Sequence, residues 1–263
     1  MPDQPAHEQD RVDVSGPTTL DGVDAETFDA SGHTTVTGDA YADRGDLSGH
    51  TEIRGDLRAV TVTASGATTV AGDAAVETVD ASGSTTIDGD LTAVTVDASG
   101  SLSVGGHAGI EELDASGATR CGSLAAETAA VSGDTTIREV TVDTFDVGGA
   151  LEVEDLDAAT LTVRLGTGDV TVDHLDAGTV TVQRTESRGG VLGVLIGRED
   201  GRATVETLVA EEVSLVDTTV TELTAETASI GPGCRIECLR AAEWEIDDDA
   251  TVEQTERVAR PPT

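Results

Sequence analysis

The sequence contains no lysine. All 15 basic residues are arginine, against 51 aspartates and glutamates, and the formal charge at neutral pH is -36. Binding of nucleic acid requires clustered cations, so such a surface argues against a nucleic-acid partner. A large excess of carboxylates without lysine is what we expect of a halophilic protein from a high-salt cytoplasm, where salt screens the repulsion. We therefore predict that the fold is lost at low salt.

Long apolar runs are also missing. No stretch of about 18 apolar residues is present that would span a bilayer as a helix. Met1 to Asp10 is polar and lacks the apolar core of a signal peptide. We expect a cytoplasmic protein.

Cysteine is scarce, with three residues in the chain. An odd number does not form a disulfide framework. Cys121 occupies a position that holds Val or Ile in other repeats, and Cys234 and Cys238 flank Ile236 at alternating spacing, which predicts one shared inward face. We expect buried structural thiols. A zinc site is not predicted, because no histidine stands at ligand spacing.

One short sequence motif recurs at a fixed interval. The dipeptide Ser-Gly returns every 17 residues, ending at Gly32, Gly49, Gly66, Gly83, Gly100 and Gly117. A unit this short cannot bury a core alone, so successive copies must stack on one another.

Each repeat carries three pairs of small or apolar residues, and the two members of a pair are two positions apart. In one copy the pairs are Thr68/Val70, Ala74/Val76 and Val79/Ala81. This spacing predicts three short strands that point two side chains inward, and hence one triangular coil of a parallel β-helix (solenoid) in an all-β fold. The small inward residues predict a narrow, filled bore. Gly-Asp and Ser-Gly are predicted to form the corners, with glycine at positive φ.

Stacking places residues 17 apart directly above one another. It predicts two columns of like charge: Asp39, Asp56, Asp73 and Asp90 in one, and Asp80, Asp97 and Asp114 in the other. Neighbouring carboxylates repel by roughly 1 kcal/mol even in water, and salt screens them.

His33 and His50 are predicted to stack as an exposed pair. Ala67 and Ser84 continue their column, so no third metal ligand is available, and we interpret the pair as solvated surface.

The repeat pattern predicts five segments in the chain. Residues 1–10 are a disordered tail, and 11–184 form the main β-helical domain. Residues 185–202 form a Gly-rich apolar connecting loop, 203–258 a second, smaller β-helical domain, and 259–263 a tail. The second domain is predicted from a new register in which Val205, Val220, Ile236 and Val252 recur at steps of 15, 16 and 16.

The connecting loop contains large apolar residues that do not alternate, namely Val191, Leu192, Val194, Leu195 and Ile196. Three interpretations stay open. The segment is a plug or lid over an open end of the stack, a protein–protein contact, or a shallow membrane insertion.

The end coils are the other candidate interfaces, because an uncovered β-helix end presents unpaired N–H and C=O groups. The first coil carries Val12 and Val14, and the last carries Trp244 and Ile246. Trp244 takes an inward position, and we predict that it is buried in the core.

No motif indicates catalysis. Carboxylates are too frequent for spacing to single out an acid/base pair, and no phosphate or dinucleotide fingerprint is present. We predict no catalytic, cofactor-binding or metal-binding residues and no small-molecule substrate. The alternatives are a β-helical carbohydrate-active enzyme, which needs sugar-stacking aromatics yet has only Phe28, Tyr41, Phe145 and Trp244, and a surface adhesin, which needs an export signal.

The coil pattern resembles the bactofilins, polymer-forming cytoskeletal proteins. The similarity is most specific in residues 211–219 (EEVSLVDTT), 230–236 (IGPGCRI) and 244–252 (WEIDDDATV). Together with the acidic, lysine-free composition, the chain is most similar to the haloarchaeal branch called halofilins.

This resemblance implies a right-handed parallel β-helix in a cytoplasmic scaffold that influences cell shape and assembles end to end without nucleotide. The implied partners are the protein itself or another bactofilin-like protein. A peripheral contact with the inner face of the cell membrane through 191–196 is a further expectation, from the apolar character of that segment. The chain departs from a simple bactofilin in two respects. It is predicted to have two β-helical parts, a long N-terminal and a shorter C-terminal one, and it lacks the apolar N-terminal tail that anchors many bactofilins. Self-assembly and modulation of a partner's assembly are therefore both expected roles.

Overall fold

The computed structural model of the chain describes residues 8–185 and 201–258, and every helix or strand in these ranges is a β-strand. The strands are β1 (Gln9–Val14), β2 (Thr18–Leu20), β3 (Val23–Ala30), β4 (His33–Val36), β5 (Ala40–Leu47), β6 (His50–Ile53), β7 (Leu57–Ala64), β8 (Ala67–Val70), β9 (Ala74–Ala81), β10 (Ser84–Ile87), β11 (Leu91–Ala98), β12 (Ser101–Ala115), β13 (Ala118–Val131), β14 (Asp134–Val147), β15 (Ala150–Leu165), β16 (Val170–Arg184), β17 (Ala203–Leu215), β18 (Thr218–Ile230), β19 (Arg235–Ile246) and β20 (Thr251–Arg257). Paired strands run parallel, one coil apart. The prediction of an all-β parallel solenoid is confirmed.

The chain divides into two compact units, Met1–Ala126 and Glu127–Thr263, with the boundary inside β13. In the second unit β16 pairs directly with β17, and Val170 lies opposite Ala203. The strands on either side of 186–200 therefore belong to one ladder. A division into two β-helical parts at 185–202 is not shown.

In the first unit most coils contain two strands rather than the predicted three. Strand β9 alone carries both the second and the third inward pairs, with Ala74, Val76, Val79 and Ala81 buried. Glu77 and Thr78 both point outward, and this pair of outward residues turns the coil without ending the strand. The inward pairs were thus predicted correctly, but the number of strands was not.

In the second unit each coil is a single long strand. The predicted step of 19 residues is confirmed, since Leu151 pairs with Val170 and Val163 with Val182. The later register is also confirmed, with Val205, Val220, Ile236 and Val252 in one column.

The core also contains large side chains, which the small inward residues of the repeat did not predict. Phe28 and Phe145 are the largest fully buried side chains, and leucine and isoleucine fill other levels of the core. Close packing of these side chains leaves the interior apolar apart from threonine.

The corner glycines are required by a close backbone approach, and the predicted positive φ is wrong. Among the described glycines only Gly233 has a positive φ, of 76°. A Cβ on Gly83 would instead clash with the carbonyl oxygen of Gly66, one coil earlier, and Gly66 bears the same relation to Gly49. The N–H of Ser84 donates to that Gly66 carbonyl at 2.9 Å, which holds the two corners together.

Candidate interfaces at the first and last coils

The first coil of the first unit has a half-buried apolar side. Within the described residues, β1 pairs only with β3, and β2 only with β4. Val12 and Val14 are half-buried, whereas their register partners Phe28 and Ala30 are fully buried. One edge of these strands therefore has no partner strand in the part of the chain that the structure describes.

The last coil of the second unit is incomplete. Strand β20 pairs with β19 only as far as Ala241, which lies opposite Arg257. Trp244 and Ile246 lie past the end of this pairing, so within residues 8–185 and 201–258 they have a neighbouring strand on one side only.

Trp244 occupies the inward column predicted for it, above the buried Ala228. Its predicted burial is nevertheless wrong, because Trp244 and Ile246 are both half-buried where β20 ends. The Arg257 guanidinium carbon lies 5.1 Å from the centre of the Trp244 ring. A cation over an indole face is a favourable contact, and it partly covers this end.

The other predicted interface residues, Val191, Leu192, Val194, Leu195 and Ile196, lie outside the described residues, as do most of the predicted N-terminal tail and all of 259–263.

The first aspartate column forms a ladder of hydrogen bonds. The backbone N–H of Asp73 donates to Oδ1 of Asp56 at 3.1 Å, and the N–H of Asp90 donates to Oδ1 of Asp73 at 2.9 Å. The ladder begins at Asp39 and ends where the N–H of His107 donates to Asp90 at 2.7 Å. These carboxylates cap backbone donors at a corner, a role that sequence reasoning missed.

The glycine before each aspartate makes room for this bond. A Cβ on Gly72 would meet Oδ1 of Asp56, and one on Gly89 would meet Oδ1 of Asp73. The recurring Gly-Asp dipeptide was the available signal. The same bond occurs in the second unit, where the Arg202 N–H donates to Oδ1 of Asp169 at 3.1 Å.

The second aspartate column is confirmed as a stack of exposed carboxylates. Asp80, Asp97 and Asp114 lie in direct register on successive coils. No hydrogen bond to these side chains is found within the described residues. Their repulsion is therefore not offset locally.

Threonine hydroxyls form a column inside the first unit. Thr34, Thr51, Thr68 and Thr85 are in register and buried, and none of their Oγ1 atoms has a hydrogen-bond partner among the described residues. Leu102 continues the same column. An unpaired buried hydroxyl costs free energy, so we expect this column to weaken the fold.

The two stacked histidines are as predicted. The ring centroids of His33 and His50 are 4.7 Å apart with an interplanar angle of 11°, and both residues are exposed. Ala67 and Ser84 follow in the column. Within residues 8–185 and 201–258, no group of three or more potential ligands is placed to hold a metal ion.

The cysteines differ in environment. Burial raises the pKa of the Cys121 thiol to about 12, despite an opposing backbone hydrogen bond at Val104. Burial also raises the pKa of Cys234. Cys238 does not share the inward face of Ile236, contrary to the prediction: it pairs with the exposed Glu222 and is half-buried, because the strand turns a corner there.

Surface depressions are present among the described residues of the second unit. A shallow groove of about 340 Å³ is lined by carboxylates, including Asp155 and Asp157, together with His174. A cleft of about 410 Å³ is lined by Arg202, Asp217, Thr219, Gly233 and Arg235. The charged groups of the first are carboxylates and one imidazole, whereas the second brings together two arginines, which are rare in this chain.

The described ranges contain no helix long and apolar enough to cross a membrane.

Comparison of the chain with protein-family models, with curated proteins and with solved structures gives no match.

Proposed function

We propose that this protein is a bactofilin-like scaffold that influences cell shape. It assembles through the end coils of its β-solenoid, or it modulates the assembly of a related partner there. The observation that carries the proposal is the pair of incompletely covered terminal coils, with half-buried apolar residues at Val12 and Val14 in one unit and at Trp244 and Ile246 in the other.

The parallel ladder supports head-to-tail assembly. Each strand offers one edge to the preceding coil and the opposite edge to the following coil. Among the described residues, β1 has no partner on the edge of the first kind and β20 has none on the edge of the second kind. Strand β20 of one copy can therefore pair with β1 of another in the existing parallel sense. A head-to-tail contact that does not close on itself generates filaments.

A non-enzymatic role without cofactor fits the distribution of aromatic residues. Phe28 and Phe145 are fully buried and cannot stack on a sugar. Tyr41 is half-buried, with the Arg58 guanidinium carbon 5.7 Å from its ring centre. The carbohydrate-active alternative therefore lacks a row of exposed aromatic residues among those described.

The proposal includes further features that the sequence predicts. These are a right-handed coil, two β-helical parts, adaptation to high salt, and a cytoplasmic location with peripheral membrane contact through 191–196. The partner is the protein itself or another bactofilin-like chain.

Electron microscopy and light scattering of the full chain in molar KCl test the proposal. We expect length-variable assemblies or defined dimers. The Ile246→Asp variant places a charge on the half-buried end and is expected to abolish them. Val94→Asp is the matched control, because Val94 is 42% exposed on the outer surface. Strictly monomeric behaviour of the wild type at all concentrations, or equal loss in both variants, would contradict the proposal.

A further inference from the structure

The cleft of about 410 Å³ in the second unit is lined by two guanidinium groups without ion-pair partners among the described residues, those of Arg202 and Arg235. Acidic residues outnumber basic ones by 51 to 15. Some other arginines are paired with carboxylates, such as Arg11 with Asp29 at 2.8 Å, whereas others, including Arg44 and Arg138, have no ion pair among the described residues. What distinguishes Arg202 and Arg235 is that both line one cleft of this strongly acidic chain.

The carboxylate in the cleft is already neutralised. Asp217 accepts hydrogen bonds on both oxygens from Arg184, on Oδ2 from Nε and on Oδ1 from a terminal nitrogen at 2.5 Å. This bidentate pair satisfies Asp217 and keeps it from pairing with Arg202 or Arg235. The nearby Asp169 accepts the backbone N–H of Arg202 at 3.1 Å. The cleft thus keeps a positive side although the chain as a whole is strongly negative.

The spacing of the two arginines suits a tetrahedral oxyanion. Arg202 precedes β17 and Arg235 begins β19, so they lie two coils apart, with Thr219 of β18 between them in direct register with Arg235. Two strand spacings amount to roughly 10 Å along the stack. A phosphate that accepts from one guanidinium fork on each side fits such a gap, and the Thr219 hydroxyl adds a donor in the middle.

The backbone of the cleft is also exceptional. Asp217 (φ 51°) and Gly233 (φ 76°) are the positive-φ residues of the described chain, and both line this cleft. The N–H of Asp217 donates to the carbonyl of Pro232 at 3.1 Å, and a Cβ on Gly233 would meet Oδ1 of Asp217. A left-handed backbone at a non-glycine residue such as Asp217 is uncommon, and such residues concentrate at functional sites.

We propose that the cleft between Arg202 and Arg235 binds a phosphate group, with Thr219 as a further donor and the Arg184–Asp217 pair as its fixed wall. The phosphate comes either free in solution or on the headgroup of an anionic lipid. The two sources share one recognition chemistry, and arginine is suited to both because its planar fork donates two parallel hydrogen bonds.

The first arm of the test uses inorganic phosphate. Binding to the full chain is measured by equilibrium dialysis and by ³¹P line width, with KCl adjusted to constant ionic strength. We expect saturable binding that the double variant Arg202→Gln/Arg235→Gln weakens at least about tenfold, because each lost fork removes a charge-assisted pair. The matched control Arg44→Gln/Arg138→Gln removes the same charge from exposed sites and is expected to bind like the wild type.

The second arm uses vesicles. Flotation with phosphatidylglycerol vesicles, compared with phosphatidylcholine vesicles, identifies the lipid source if only the former bind and the double variant loses that binding. Binding of inorganic phosphate without vesicle binding identifies free phosphate. Arg202→Lys/Arg235→Lys retains the charges and removes the forks, and it is expected to show intermediate affinity with an unchanged circular dichroism spectrum.

The proposal is overturned if the wild type binds neither probe, or if the control variant loses as much affinity as the cleft variant. Neither result would affect the scaffold proposal, which is tested by assembly of the wild type and of Ile246→Asp.

Discussion

The backbone N–H of Asp73 donates a hydrogen bond to the carboxylate of Asp56, 3.1 Å away and one coil earlier. The aspartates that appear in the sequence as a column of repelling charges thus also cap the corners of the solenoid. The same side chains repel one another and accept backbone hydrogen bonds. Substitutions can distinguish these two contributions to stability.

Asp73→Ala removes the acceptor for the Asp90 N–H, and we expect it to lower the free energy of unfolding by about 1–2 kcal/mol. Denaturant unfolding at constant KCl measures the change. Asp80→Ala is the matched control, because Asp80 is exposed and stacks on Asp97. It is expected to be neutral or slightly stabilising. Equal losses in both variants would mean that Asp73 acts through charge alone.

Gly83→Ala is expected to destabilise the fold by about 3 kcal/mol, in the upper part of the usual range for single substitutions. The added Cβ would clash with the Gly66 carbonyl, so the hydrogen bond from Ser84 must lengthen.

Gly45→Ala provides the comparison, since its Cβ would lie 3.7 Å from a Val62 methyl, an ordinary contact. We expect a change within about 1 kcal/mol. Thermal unfolding of both variants measures the two changes in stability. If Gly83→Ala were as stable as the wild type, the two corners could move apart to accommodate the added Cβ.

Thr68→Val is expected to raise the free energy of unfolding by about 1 kcal/mol, because it replaces an unpartnered buried hydroxyl with a methyl group of similar shape. Leu102 shows that the column accepts an apolar side chain. Thr69→Val on the outward side of the same strand is the control and should have little effect. A loss of stability in Thr68→Val would imply that the hydroxyl has a partner, such as a buried water.

Salt is expected to control stability. The formal charge is -36, and columns such as Asp80, Asp97 and Asp114 are in direct register. Screening extends over about 10 Å at 0.1 M salt and about 3 Å at 1 M, so only molar salt screens neighbours in a column. Circular dichroism in 0.1 M and 2 M KCl should show loss of the fold in the first. An identical spectrum and melting temperature would contradict this prediction.

Alkylation should distinguish the three thiols. Cys121 and Cys234 are buried with raised pKa values, and Cys238 is half-buried on the outer side. Iodoacetamide is expected to label Cys238 first in the folded protein and all three after unfolding, as read by mass spectrometry. Early labelling of Cys121 would contradict the described core.

The Cys121 thiol also predicts a pH effect. Its folded-state pKa of about 12 exceeds its ordinary value of 9.0, so the folded state binds more protons between these limits. Stability should therefore fall as the pH rises above 9.0. Cys121→Val is expected to reduce this fall.

The sequence by itself determined the stack and much of its register. The period of 17 and the pairs spaced by two predicted the parallel coils, the inward positions of the core, the aspartate columns and the His33–His50 contact. These features depend only on distance along the chain, because residues one period apart must lie in adjacent coils.

Tertiary structure decided which groups of neighbouring coils contact one another and how far β20 extends along β19. The need for glycine at position 83 comes from a backbone contact with Gly66, and the half-exposure of Trp244 follows from the end of β20. The cleft joins Arg202 to Arg235, 33 positions later in the sequence and two coils away, across a period that the repeat does not keep constant. These contacts depend on the geometry of the corners and on the lengths of the strands, and the sequence of a single repeat does not determine either.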